Sequence, residues 1–280
     1  MAISLKPLSE LLGVEISGLD LTRPLGDADF AAVRQASLDH LVFAISDLDL
    51  SVDQLVAFAR RFGPLVEHIL DQYHHPETSE ISVLTNDSES PLGRHTEQPA
   101  GAFWHTDLGY MAVPADYTLL YAVETPPSGG DTLFVNMAHA YDTLPGDVKR
   151  RIDGLSAIHR VFGGQTTRQS QLKLSAGQQD KTPDVAHPIV RTHRETGRKA
   201  LFVSPGFTVR IREVDEAESR ELLDILFAHA TRPEVQYRHK WRPGQLVACD
   251  NRATMHCATG GYAAGARRTL FRAIVGGVAA

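Results

Sequence analysis

The sequence predicts a mainly β protein with helices at its periphery, and three observations carry that reading. The middle of the chain holds short apolar runs, "ISVLTN", "FWHTDLGY", "YTLLYAVE" and "TLFVNM", separated by clusters of Pro, Gly, Ser and Asp. The last third adds two more runs of strand character, "GQLVACDN" and "RRTLFRAIVGG". Helical spacing is confined to stretches outside these runs.

Taken in order, "LGVEISGLDLTRPL" alternates apolar and polar residues and reads as short strands with turns. In "GDADFAAVRQASLDHL", Phe30, Val33, Ser37 and Leu41 recur near helical spacing. "LVFAISDLDL" follows as a buried strand. "SVDQLVAFARRFG" places Ser51 three residues before Gln54, a capping box, and Gly63 as a stop, so a helix is predicted over 52–62. The strand runs of the middle come next. In "VDEAESRELLDILFAHATRP", Asp215 and Glu218 are placed to cap the start of a helix over 216–230. The two late runs complete the β framework. No internal repeat and no shift of composition divides the chain, so a single domain over 1–280 is expected.

The bulk numbers exclude several function classes. A net charge of −6 gives no support to a nucleic-acid surface. No run reaches the length of a membrane span. The start "MAISLKPLSELLG" lacks the pattern of a signal peptide, and two cysteines, Cys249 and Cys257, are too few for a disulfide framework. The chain therefore reads as cytoplasmic. Two long polar stretches, 86–101 and 163–185, lack apolar periodicity and read as mobile lids or as plain disorder.

"FWHTDLGY" carries more than strand character. On a strand, side chains alternate faces, so His105 and Asp107 point the same way. One imidazole and one carboxylate side by side are two-thirds of a metal site. With 13 histidines in the chain a third ligand is easily found, and most of them are expected on the surface or in ordinary hydrogen bonds. His256 is set apart by its context, "VACDNRATMHCATGGY": it follows an apolar strand and a turn-like "DNR" and precedes another strand.

At these residues the sequence resembles the taurine and 2,4-dichlorophenoxyacetate dioxygenases, which depend on iron(II) and 2-oxoglutarate. The matching stretches span nearly the whole chain: "LGVEISGLDLTRPL", "FARRFGPL", "WHTD", "GGDTLF", "GFTVRI", "DNRATMH" and "RRTLFR", in that order. The resemblance implies a double-stranded β-helix, or jelly roll, with the metal between two sheets and helices such as 52–62 and 216–230 outside. Two histidines and one carboxylate on one face of a metal leave coordination positions open, the facial triad of non-haem iron(II) oxygenases. A structural zinc site would close them with a fourth protein ligand. His105, Asp107 and His256 are therefore the expected iron ligands, with 2-oxoglutarate as cosubstrate and O2 as oxidant.

The far carboxylate of 2-oxoglutarate needs a partner in a closing pocket, and the planar fork of arginine suits it. On a strand, Arg268, Leu270 and Arg272 of "RRTLFR" share one face while Arg267 points to the other. The family's closing Arg-Arg-x-x-x-Arg pattern implies Arg268 as the anchor, with Arg267 as the alternative. By the same resemblance Thr132 of "GGDTLF" gives its hydroxyl to that carboxylate. Four residues of strand cover roughly 13 Å, so Arg268 and Arg272 read as meeting two anions, the cosubstrate and the substrate. In taurine dioxygenase the residue matching Arg272 meets the substrate's sulfonate with help from a histidine early in the chain. His68 is the best match to that histidine, although "VEHILDQYHH" departs from the family's wording there. Phe207 of "GFTVRI" matches an aromatic wall of the same pocket. Gly101 stands where taurine dioxygenase places a polar side chain for its substrate's amine, so a bulkier substrate, or one without an amine, is expected.

The reaction implied is hydroxylation of a small anionic organic molecule, such as a sulfonate, sulfate ester or aryloxyalkanoate, with release of succinate and CO2. Two other readings are a jelly-roll hydrolase or isomerase using its metal as a Lewis acid, and a 2-oxoglutarate-binding module without turnover. Arg268 and Thr132 argue against the first, and a complete triad against the second. Dimers and higher assemblies are common in the family, which leaves a homo-oligomer open, and the sequence does not fix the oligomeric state.

Overall fold

Period-two alternation in the apolar runs decides which residues face which layer. The computed structural model describes residues 3–92, 101–161 and 175–278. In chain order, β1 (Ser4–Pro7) and β2 (Val14–Ser17) form an antiparallel pair, followed by helix α1 (Asp27–His40), β3 (Val42–Ile45) and helix α2 (Val52–Arg60). Next come β4 (His74–His75), β5 (Thr78–Thr85), β6 (Ala115–Glu124) and β7 (Thr132–Asn136). Helices α3 (Met137–Asp142) and α4 (Gly146–Ile152) precede β8 (Ser156–His159). Helix α5 (Ala176–Asp180), β9 (Val185–Pro188), β10 (Val190–Thr192), β11 (Lys199–Leu201) and β12 (Thr208–Ile211) lead to helix α6 (Glu216–Ala230). The chain closes with β13 (Gln236–His239), β14 (Leu246–Asp250), β15 (Thr254–Ala258) and β16 (Thr269–Gly276).

Eight strands form the large sheet, in the order β1-β2-β3-β14-β6-β16-β5-β4. Smaller sheets follow the orders β13-β7-β15 and β12-β8-β9, with β10 and β11 as a separate ribbon. Alternation on the large sheet makes two cores. Tyr117, Leu119 and Tyr121 of β6 and Leu246 and Ala248 of β14 face outward, against Val33 and Ala36 of α1 and Leu55 and Phe58 of α2. Their neighbours Leu120, Ala122, Val247 and Cys249 face inward and meet Phe134 of β7, Tyr237 of β13 and Trp241. On the far side of the small sheet, Val135 and Met255 pack against α3, α4 and α6. The layers are helices, large sheet, small sheets, helices, as the jelly-roll expectation required.

The helices predicted from the sequence are present. In α2, Ser51 accepts from the Gln54 backbone N–H at 3.2 Å and the Gln54 side chain accepts from the Ser51 N–H at 2.8 Å. That reciprocal cap stabilises the helix by about 1 kcal/mol. Regular helix ends at Arg60, two residues before the expected end, where the chain turns toward Gly63 (φ 150°). Helix α6 occupies 216–230 as predicted, capped by Asp215. Helices α3, α4 and α5 were not anticipated; they are five to seven residues long, too short to show a period.

One strand expectation fails. "FWHTDLGY" is not a strand: only His105 makes a β-bridge, and the chain turns over 107–110, with Leu108 at φ 52°. Of the two lid expectations, 93–100 and 163–174 lie outside the described residues. Within the remainder of 163–185, α5 is a capped helix whose Gln178 donates to the Ile69 carbonyl. Both cysteines are free, and among the described residues no helix is long and apolar enough to cross a membrane.

Candidate active site

His105 and His256 are brought together by backbone pairing. The His105 N–H bonds to the His256 carbonyl at 3.0 Å and the His256 N–H returns to the His105 carbonyl at 2.9 Å. Their rings lie 4.3 Å apart, centroid to centroid. After His105 the Thr106 hydroxyl donates to the Thr254 carbonyl, and the turn through Leu108 and Gly109 folds Asp107 back toward the two rings. His105 and Asp107 thus share a side because the backbone turns, and not through strand alternation. His105 Nε2 lies 3.8 Å from Asp107 Oδ1, and His256 Nε2 lies 3.6 Å from Asp107 Oδ2. One ligand atom from each of the three residues falls within 4.8 Å of the others, and all three are buried.

The protonation pattern suits a metal. His105 Nδ1 is 2.7 Å from the Phe103 carbonyl, which only accepts, so Nδ1 carries the hydrogen and the Nε2 lone pair faces Asp107. Burial pushes both imidazoles down, His256 to about 3, so both stay neutral near pH 7 as ligation requires. Burial would raise the Asp107 carboxyl, but the Arg272 guanidinium and its other neighbours outweigh this and hold it below its ordinary value. Two neutral imidazoles and a carboxylate converging from one side form a donor set that can hold a divalent metal with open positions.

Beside these residues the structure gathers hydrogen-bond donors that no carboxylate receives among the described residues. Arg268 is 5% exposed, and its side chain makes one hydrogen bond among the described residues, from Nε to the Gly130 carbonyl at 2.9 Å. Burial pushes its guanidinium down to about 10. Gly129 and Gly130 take positive φ (75° and 69°), and a Cβ on Gly129 would meet the Gly261 backbone at 2.6 Å. Only glycine fits that turn, and it delivers Thr132 into the same cavity. The Thr132 hydroxyl accepts from Trp241 Nε1 at 3.0 Å; an indole only donates, so the hydroxyl hydrogen is left for another acceptor. Arg267 faces the other way, with its side chain 53% exposed and Nε 3.6 Å from Asp87.

Arg272 lines the cavity with Arg268, Thr132, His105 and His256. It donates to Asp107 Oδ1 at 3.2 Å, while its buried Nε has no partner among the described residues. His68 lies within electrostatic reach of both Arg272 and Asp107, and burial followed by the Arg272 charge pushes it down to about 3. Phe207 meets the His105 ring edge-on at 5.8 Å and packs against Phe103 and Tyr110. Gly101 also lines the cavity, with φ 74°, and a Cβ there would lie 2.8 Å from His105 Cε1. A side chain at 101 would press on the imidazole, which accounts for the glycine.

The structure therefore brings His105, Asp107, His256, Thr132, Arg268, Arg272 and Phe207 together, leaves His68 within electrostatic reach of Arg272 and Asp107, and turns Arg267 away. Sequence reasoning missed Trp241, Thr118 and Asn251. The Thr118 hydroxyl donates to Asp107 Oδ2 at 2.6 Å and accepts from Asn251 Nδ2 at 2.9 Å. Trp241 and Thr118 gave no local signal, since each looks like an ordinary strand or core residue; Asn251 sat in view within "DNR".

Known proteins resemble this chain over nearly its whole length. The profile described as "Taurine catabolism dioxygenase TauD, TfdA family" matches residues 4–274. An alpha-ketoglutarate-dependent 2,4-dichlorophenoxyacetate dioxygenase of Cupriavidus pinatubonensis is 35% identical over 98% of this chain and 97% of its own. The (S)-phenoxypropionate/alpha-ketoglutarate-dioxygenase of Sphingobium herbicidovorans is 33% identical, covering 92% and 90%. Among solved structures, a taurine dioxygenase from Burkholderia xenovorans superposes with a TM-score of 0.83 at 33% identity, covering 99% of this chain and 90% of that one. AAD-2 in complex with Mn(II) and N-oxalylglycine gives 0.80 at 30% identity, covering 99% and 98%. With the match running almost end to end, this chain belongs to the TauD/TfdA family of dioxygenases.

Proposed function

We propose that this chain is an iron(II)- and 2-oxoglutarate-dependent dioxygenase, working as one domain, that hydroxylates a small anionic organic substrate and releases succinate and CO2. The observation that carries the reading is a buried His105–Asp107–His256 cluster whose two histidines line one cavity with a buried arginine, Arg268, that makes no ion pair among the described residues. The iron is assigned to His105 Nε2, a carboxylate oxygen of Asp107 and His256 Nε2. When bound, it supplies the activation of O2 that the side chains cannot provide.

The remaining roles follow from the residues. Arg268 and Thr132 hold the far carboxylate of 2-oxoglutarate, the arginine through its free amino groups and the threonine through the hydrogen that Trp241 leaves over. Arg272 meets the anionic group of the substrate, exchanging its Asp107 contact for it, and His68 adds a second polar partner. Phe207, Phe103 and Tyr110 wall the substrate's apolar body and keep water from the reacting carbon.

Among anionic substrates we favour an aryloxyalkanoate. Gly101 supplies no side chain to an amine, the rings of Phe207, Phe103 and Tyr110 cluster beside His105, and two of the similar proteins are named for phenoxy acids. Hydroxylation beside the ether oxygen gives a hemiacetal whose C–O bond breaks to release a phenol, with the hydroxylated carbon leaving as the carbonyl of a 2-oxo acid. The two free cysteines fit a reducing, cytoplasmic setting.

The test is succinate formation in iron(II), ascorbate and 2-oxoglutarate, with phenoxyacetates, phenoxypropionates, alkylsulfonates and sulfate esters supplied singly. The expected result is iron-dependent succinate release stimulated by a phenoxy acid, with a phenol in equal amount. Absence of iron-dependent succinate with every anion would overturn the proposal.

A further inference from the structure

The Asp107 carboxylate is held at both oxygens by groups other than the histidines. Arg272 donates to Oδ1 and the Thr118 hydroxyl donates to Oδ2 at 2.6 Å. Thr118 lies inside β6, 0% exposed, opposite Cys249 of β14 on one side and Ile274 of β16 on the other. With its backbone paired to two neighbouring strands, it is a rigid platform. Its oxygen also receives Asn251 Nδ2 at 2.9 Å. Asn251 is 1% exposed, in the turn between β14 and β15, and its backbone N–H donates to the Asp116 carbonyl at 2.8 Å.

The direction of this chain of bonds is forced. A carboxylate only accepts, so the Thr118 hydrogen must point at Asp107, and the hydroxyl can then only accept from its other neighbour. That neighbour must be the amide NH2 of Asn251. We propose that Thr118, oriented by Asn251, is the positioning residue that sets the plane of the Asp107 carboxylate for the metal. Arg272 cannot serve this purpose, because its guanidinium is assigned to the substrate's anion and leaves Asp107 when that anion arrives. Among the described residues the Thr118 hydroxyl donates to no other acceptor, so its bond to Asp107 does not depend on the substrate.

The inference rests on reading His105, Asp107 and His256 as the metal site. It is tested on the metal-free protein by titrating Mn(II), with free Mn(II) followed by electron paramagnetic resonance, and by recording the visible spectrum of the Co(II) form. Thr118→Val keeps the shape and removes the hydroxyl; Thr118→Ser restores it. The expected result is Mn(II) binding weaker by about 10- to 100-fold in Thr118→Val, with an altered Co(II) spectrum. Thr118→Ser should remain close to the unmodified protein in both. Asn251→Ala keeps the hydroxyl but removes the amide that steadies its oxygen, and should weaken Mn(II) binding by a smaller factor; it carries the test if Thr118→Val does not fold. Unchanged affinity and spectrum in Thr118→Val overturn the role, as does equal weakening in Thr118→Ser, which would point to packing. Failure of the unmodified protein to bind Mn(II) or Co(II) would instead sink the metal-site reading itself.

Discussion

Arg268→Met should move stability and cosubstrate binding in opposite directions. Arg268 is 5% exposed, and burial pushes the pKa of its guanidinium down to about 10. At about 1.4 kcal/mol per pKa unit, the fall from arginine's ordinary value corresponds to about 3 kcal/mol of disfavoured charge. The lost hydrogen bond to Gly130 offsets about 1 kcal/mol of that. Methionine fills similar space without the charge, so the ligand-free variant should be more stable by about 2 kcal/mol, or roughly 4–8 °C in melting temperature. Binding should move the opposite way. Removing one partner of a buried charge pair costs about 2–5 kcal/mol, so 2-oxoglutarate affinity should fall by at least about 30-fold. The assay is a thermal melt with and without Mn(II) and 2-oxoglutarate. The unmodified protein gains stability on adding both, by about 2.7 kcal/mol at a hundredfold excess over Kd; the variant gains from the metal alone. A variant that melts lower without ligand and still responds fully to 2-oxoglutarate would refute the reasoning.

Three further outcomes follow from neighbouring contacts. Arg272→Ala should weaken substrate binding while leaving the visible absorption of the anaerobic iron–2-oxoglutarate complex intact; loss of that band would mean the two arginine roles are exchanged. Gly101→Ala forces a Cβ to within 2.8 Å of His105 Cε1 at a φ of 74°, and should weaken Mn(II) binding, measured by calorimetry, with little change in the overall circular dichroism. Trp241→Phe removes the donor that orients Thr132 and should cost about 1 kcal/mol, a weakening of roughly fivefold for 2-oxoglutarate with metal affinity unchanged.

What could be read in the sequence depended on how far the responsible physics reaches along the chain. The helix over 216–230 was legible because Asp215 caps it locally and its apolar spacing repeats for four turns. Helix α5 has a capping box at Ser175 and Gln178 but only five residues, too few for a period. "FWHTDLGY" misled because its composition suits a strand, whereas its conformation is set by pairing with His256 and by Leu108 at φ 52°. The chemistry survived that error, since His105 and Asp107 converge through the turn. Alternation put Arg268 and Arg272 on one face and Arg267 on the other, the family pattern favoured Arg268, and the structure places Arg267 on the outside. Thr118 and Trp241 act across contacts more than a hundred residues distant, with Asn251 and Thr132, and no local pattern announces them.

The most direct measurement is anomalous diffraction from crystals grown with Mn(II) and 2-oxoglutarate. The account predicts one strong manganese peak bonded to His105 Nε2, Asp107 and His256 Nε2, with the far carboxylate of 2-oxoglutarate on Arg268 and Thr132. A manganese peak bonded elsewhere, or 2-oxoglutarate bound away from Arg268, would contradict it.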